Sequence, residues 1–185
     1  MKSNILILMT CIFFISWKSF SQEKTNNTII TNEEYNVIND IFSTKSKSVE
    51  IYNVTDFSKT WLSLMSVVEL DKLLGPPCND GNRIIKWIDI FSKDDFRKIR
   101  DKIIQSKPMV FDKSKLNNCF ITLDYYDNSN KNSTLVSSIS KPIIIREYAI
   151  VKRSSQIGEV ILIAKKNESK WKVICRKFVF QTSYD

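Results

Sequence analysis

Ile143 to Gln181 reads IIIREYAIVKRSSQIGEVILIAKKNESKWKVICRKFVFQ, and this stretch decides the fold. Four β-rich runs lie within it: Ile143–Ile145, Tyr148–Arg153, Glu159–Lys166 and Trp171–Gln181. Runs dense in Ile, Val, Tyr and Phe, broken by short turn-rich segments, specify antiparallel strands joined by hairpins. Lys166-Asn167-Glu168-Ser169-Lys170 is the clearest of those connections. Along the last run, strict alternation puts Trp171, Val173, Cys175 and Val179 on one face and Lys172 and Arg176 on the other. The expectation is a meander with a basic outer side, carrying Lys172 and Arg176 with Lys165, Lys166 and Lys170 at the adjoining hairpin.

Upstream, the pattern turns helical. Thr31-Asn32-Glu33-Glu34 is a capping box, with Tyr35, Ile38, Ile41 and Phe42 following at helical spacing. Ser92-Lys93-Asp94-Asp95 is a second helix start, its acids placed where the dipole favours them. Phe96, Ile99 and Ile103 then share one face, and Pro108 lies beyond the end. Val49–Tyr52 and Cys119–Asp124 have strand composition; Trp61 to Leu74 reads as a strand to about Val68 with a short helix after it. Gly75-Pro76-Pro77 and Asn79-Asp80-Gly81-Asn82 are breaks. The fold class is therefore α+β: N-terminal helices and short strands, followed by a C-terminal antiparallel β-meander.

The first twenty-one residues stand apart. Lys2 precedes a thirteen-residue apolar run, Ile5–Trp17, and Ser19-Phe20-Ser21 puts small residues before Gln22. That is the pattern of a cleaved secretory signal peptide. A membrane span needs about 20 apolar residues, and this run ends at Lys18. The expected mature chain is one α+β domain over residues 22–185, with a flexible lead-in at 22–30 and no transmembrane span. It would be exported to the periplasm, cell surface or medium.

Charge is unevenly placed within that domain. Residues 22–140 carry sixteen basic and sixteen acidic residues, whereas 141–185 carry ten against four. The plain reading of the excess is a solvated sheet face. The sharper one is a docking surface for an acidic protein or surface polyanion, with Lys165, Lys166, Lys170, Lys172 and Arg176 as its candidates. Nucleic acid is not an expected partner, because no recognition motif is present.

The chain has no histidine. That removes the commonest general base and metal ligand together, and with it Ser-His-Asp and Cys-His arrangements. Three glycines leave little room for phosphate-cradling loops. No cofactor and no metal site is expected. Carboxylates remain: Asp124 and Asp127 flank Tyr125-Tyr126 at the end of a strand, a place suited to a carboxylate pair or to stacking aromatics. Loss of Cys11 with the leader leaves Cys78, Cys119 and Cys175, an odd count in an oxidising compartment. Cys78 and Cys119 both follow turn-type residues, so the expectation is a bridge between them or none. Cys175, inside a strand-like run, is expected to be buried.

Ser140-Lys141-Pro142, Tyr148-Ala149-Ile150, Gly158-Glu159-Val160 and Lys165-Lys166-Asn167 with Lys170-Trp171-Lys172-Val173-Ile174 make a familiar pattern. It resembles a module of small uncharacterised exported α+β proteins of Bacteroidetes-type bacteria. There a Ser-Lys-Pro-Ile start opens a meander that closes on Lys-Trp-Lys. The resemblance implies a compartment and an architecture, and no activity. The leading functional expectation is an exported, non-catalytic binding or interaction protein. The alternatives are a carboxylate-dependent hydrolase using Asp124 and Asp127, and a periplasmic inhibitor or immunity-type protein.

Overall fold

A computed structural model describes residues 29–42, 48–58, 76–124 and 136–181. The expected leader at 1–21, the run at 61–74 and the trio Tyr125, Tyr126 and Asp127 lie outside the described residues.

Both expected helices form where their caps begin. Helix α1 spans Asn32–Phe42. The Thr31 N–H donates to Glu34 Oε2 at 2.7 Å, and the Glu34 N–H donates to Thr31 Oγ1 at 3.2 Å. Strand β1 is Val49–Tyr52. A hairpin follows, β2 at Cys78–Asp80 and β3 at Arg83–Ile85, turning on Gly81 at φ +68°. Glycine takes that left-handed geometry without a Cβ penalty. A short helix α2, Trp87–Ile90, precedes α3, Lys93–Ile104. The Ser92 hydroxyl caps α3, accepting from the Asp95 N–H at 3.2 Å, while the Asp95 carboxylate accepts from the Ser92 N–H at 2.9 Å. Strand β4, Phe120–Leu123, pairs in parallel with β1, a long-range contact that local pattern does not announce.

The C-terminal sheet confirms the meander. Strands β6 (Ile143–Ile145), β7 (Tyr148–Ser155), β8 (Gly158–Asn167) and β9 (Lys170–Gln181) pair antiparallel in succession. A further short strand, β5 (Ser138–Ile139), shares the free edge of β7 with β6. The β6–β7 and β8–β9 hairpins are tight, and Arg146 and Glu168 take φ near +55° to close them. A non-glycine residue seldom sits there. Arg146 is held by its own side chain, which donates to the Ile90 carbonyl at 2.7 Å and pairs with Asp95 at 2.8 Å.

The sheet is not solvated on its outer side, which corrects one expectation. Both faces are buried. On one, Ile150, Ile161 and Ile163 pack with Trp87 of α2, with Phe91 just after it, and with Phe96, Ile99 and Ile103 of α3. On the other, Ala149, Val151, Leu162 and Ala164 pack with Tyr35, Val37, Ile38 and Phe42 of α1 and with Ile51 of β1. The unbroken apolar runs Ala149–Val151 and Val160–Ala164 are what a strand covered on both sides requires.

A β-bulge overturns the alternation read along β9. Ile163 pairs with Cys175 but Ala164 pairs with Val173, so Ile174 is an extra residue in the ladder. One inserted residue sends everything beyond it to the opposite face. Trp171 and Val173 therefore pack on the α1 side, whereas Cys175 and Val179 pack on the α3 side. The same switch sets the disulfide. Cys175 is turned towards β2 and bridges to Cys78 across 97 residues of sequence, with Cα atoms 4.3 Å apart. The expected Cys78–Cys119 pairing is thus replaced by Cys78–Cys175. Cys119 lies half-buried beside β4, outside the bridge. Burial of Cys175 holds.

Candidate functional site

The five basic residues expected on one surface do not form one. Lys172 sits directly across from Lys165, on the face where Lys165 is ion-paired with Asp80 of β2. Arg176 lies across from Leu162, on the α1 face. The bulge at Ile174 separates them. Lys166 also turns to the α1 side, paired with Glu33 at 2.7 Å and 5.7 Å from the centroid of the Trp171 ring. Lys170 is exposed at the start of β9. Of the acidic candidates, Asp124 is exposed after β4. Among the described residues, no group of three or more metal-ligating side chains is gathered, and no helix is long and apolar enough to cross a membrane.

Two neighbouring cations on β7 hold the chemistry that strand composition concealed. Lys152 is fully buried. Its ammonium lies 3.0 Å from Asp56 and 3.5 Å from Glu159, and it hydrogen-bonds the Ser58 hydroxyl. Asp56 also accepts from the Ser154 hydroxyl at 2.7 Å and the Ser58 N–H at 2.8 Å. The segment after β1 carries Asp56 here because it runs beside β5, the Asp56 N–H donating to the Ile139 carbonyl at 2.8 Å. Burial pushes the Asp56 carboxyl up, but the Lys152 charge and the Ser58 and Ser154 donors outweigh it and leave the group below its ordinary value. A serine beside a lysine is the pairing of some hydrolases, where the lysine takes a proton. Here Lys152 is instead ion-paired with two carboxylates, Asp56 and Glu159. The cluster is a clasp between the sheet and the segment after β1.

Arg153 points the other way. It stands between Ile139 of β5 and Val160 of β8, half-buried, with its Nε–H donating to Ser137 Oγ at 2.9 Å. Arg176 approaches it from β9. Burial, and then the charge of Arg176, push the Arg153 guanidinium down from its ordinary value. Neither arginine makes an ion pair among the described residues. The two flank a groove of about 620 Å³ that runs between the sheet and the end of α1 with the start of β1. Val160, Leu162 and Phe178 line it from the sheet, Ile41 and Phe42 from the end of α1, and Ser48, Val49 and Glu50 from the start of β1. Sequence alone flagged Arg176 but not Arg153. Their convergence is made by pairing across three strands, between positions 23 residues apart.

Comparisons with protein-family models, with curated proteins and with solved structures give no match to this chain.

Proposed function

We propose that this chain is an exported, non-catalytic binding protein whose acidic ligand is held at Arg153 and Arg176. The observation that carries this reading is the pair of guanidiniums drawn together at one groove, neither of them ion-paired among the described residues although Glu50 also lines the groove. Bringing like charges together costs free energy, and an anionic ligand between them relieves it. Arginine suits the task because its planar fork donates two parallel hydrogen bonds to a carboxylate or phosphate. The disulfide between Cys78 and Cys175 accords with an oxidising compartment and so with the leader at 1–21. The acidic-partner reading of the C-terminal charge excess thereby moves from an outer basic row to the α1 face.

The test is a thermal-shift comparison of the wild type with Arg153→Gln/Arg176→Gln, using acidic probes of several kinds: an alkyl carboxylate, polyglutamate and heparin. A ligand present at about 100 times its Kd adds about 2.7 kcal/mol to stability. At least one probe should raise the melting temperature of the wild type and leave the double variant unmoved. If no acidic probe distinguishes the two proteins, the reading fails.

A further inference from the structure

We infer that the groove takes a single amphipathic anion, an acid head on an unbranched apolar tail such as a medium-chain carboxylate, and not an extended polyanion. This rests on the reading above and narrows it. Among the described residues two cations line the groove, Arg153 and Arg176, with one carboxylate, Glu50, and one hydroxyl, Ser48; the other six lining side chains are apolar. A polyanion gains from many regularly spaced cations, and past the first pair it would meet Val160, Leu162 and Phe178. An acid with an apolar tail matches both parts at once.

The apolar part is exposed to a degree that a closed core does not show. Phe178 is 39% accessible, although it lies on the face that α1 covers elsewhere. Val160 beside it on the sheet and Val49 on β1 are half-buried in the same groove. The volume of about 620 Å³ falls within the range of small-molecule sites, which pair apolar linings with a few placed polar groups. Head and tail have separate recognition here. Arg153 is pre-positioned by Ser137, and the tail lies along β8 towards Ile41 and Phe42.

Octanoate, decanoate and dodecanoate, each below its micelle concentration, are titrated by calorimetry into the wild type, Arg153→Gln/Arg176→Gln and Phe178→Ser. Circular dichroism and melting curves establish that each variant folds. Burying one methylene contributes enough to tighten Kd about three- to fourfold. The wild type should show that step for each added carbon. The arginine variant should lose binding by tenfold or more, and Phe178→Ser should keep binding with a shallower chain-length step. Dodecyltrimethylammonium should not bind. Equal dodecanoate affinity in wild type and arginine variant would mean indiscriminate apolar adsorption and would overturn the inference. Arginine-dependent binding of polyglutamate or heparin without dodecanoate would overturn the amphiphile and leave the acidic-ligand reading standing. Binding of none of these would remove both.

Discussion

Lys152 and Arg153 are neighbours in sequence and opposites in surroundings, and the two faces of the sheet differ in the same way. On the α3 side, a fully buried lysine sits within 3.5 Å of two carboxylates, and a disulfide and a layer of isoleucines and aromatics seal the rest. On the α1 side, the packing is equally apolar around Tyr35, Ile38 and Trp171, but it stops short. There an arginine, half-buried, faces another arginine across an open groove. A charge that serves stability is matched where it is buried. A charge left unmatched at a concave apolar surface is a constraint that stability alone does not explain. On the proposed function, one face anchors and the other recognises.

The largest effect belongs to the sealed face. Lys152→Ala strands Asp56 and Glu159 without their cation, and breaking a buried pair from one side costs about 3–5 kcal/mol. Urea unfolding measures it. A loss below about 1 kcal/mol would mean that the clasp is already wet and the faces are less different than drawn.

Opening the Cys78–Cys175 bridge comes next. Such a bond typically contributes about 2–4 kcal/mol, more for the long loop it closes here. Cys78→Ser/Cys175→Ser should lower the urea midpoint accordingly, while Cys119→Ser leaves it within error. A midpoint that follows Cys119 instead would reverse the pairing. Acid gives a smaller and graded effect. The carboxyl pKa of Asp56 is depressed by Lys152 and its hydrogen bonds against the opposing effect of burial, and that of Asp95 chiefly by the Ser92 N–H. A depressed carboxylate contributes stability that is fully present above its unfolded pKa of about 3.9 and is lost as pH falls through the folded value. Stability should therefore hold from pH 7 to about pH 5 and decline below it, and Asp56→Asn should flatten the decline. A profile that Asp56→Asn leaves unchanged would put the acid sensitivity elsewhere.

Much of this architecture was legible because its causes are local. Thr31 with Glu34 and Ser92 with Asp95 are caps that act within one helical turn, and both helices start on them. Strands β6 to β9 follow from composition and turns. What escaped is non-local. Trp171, Val173 and Cys175 alternate without a flaw in sequence, and only the register against β8 inserts Ile174 as a bulge. That single residue misplaced Arg176 relative to Lys172 and hid the partner of Cys78. Lys152 in a strand reads as an outward lysine, because nothing near it in sequence announces Asp56 from 96 positions away. Arg153 reads as an ordinary strand residue for the same reason: its neighbour Arg176 lies two strands across.

The most direct test of the claim that the α1 face holds its charge for a ligand is the stability of Arg153→Leu without one. Leucine keeps apolar contact with Val160 and Leu162 and removes a half-buried guanidinium that repels Arg176. Urea unfolding at pH 7 should show a variant as stable as the wild type to within about 0.5 kcal/mol, or more stable. If the hydrogen bond from Arg153 to Ser137 is what the residue is for, removing it should cost about 1.5–3 kcal/mol, the range for bonds to charged groups. A loss of that size would make Arg153 a structural arginine and contradict the division between the two faces.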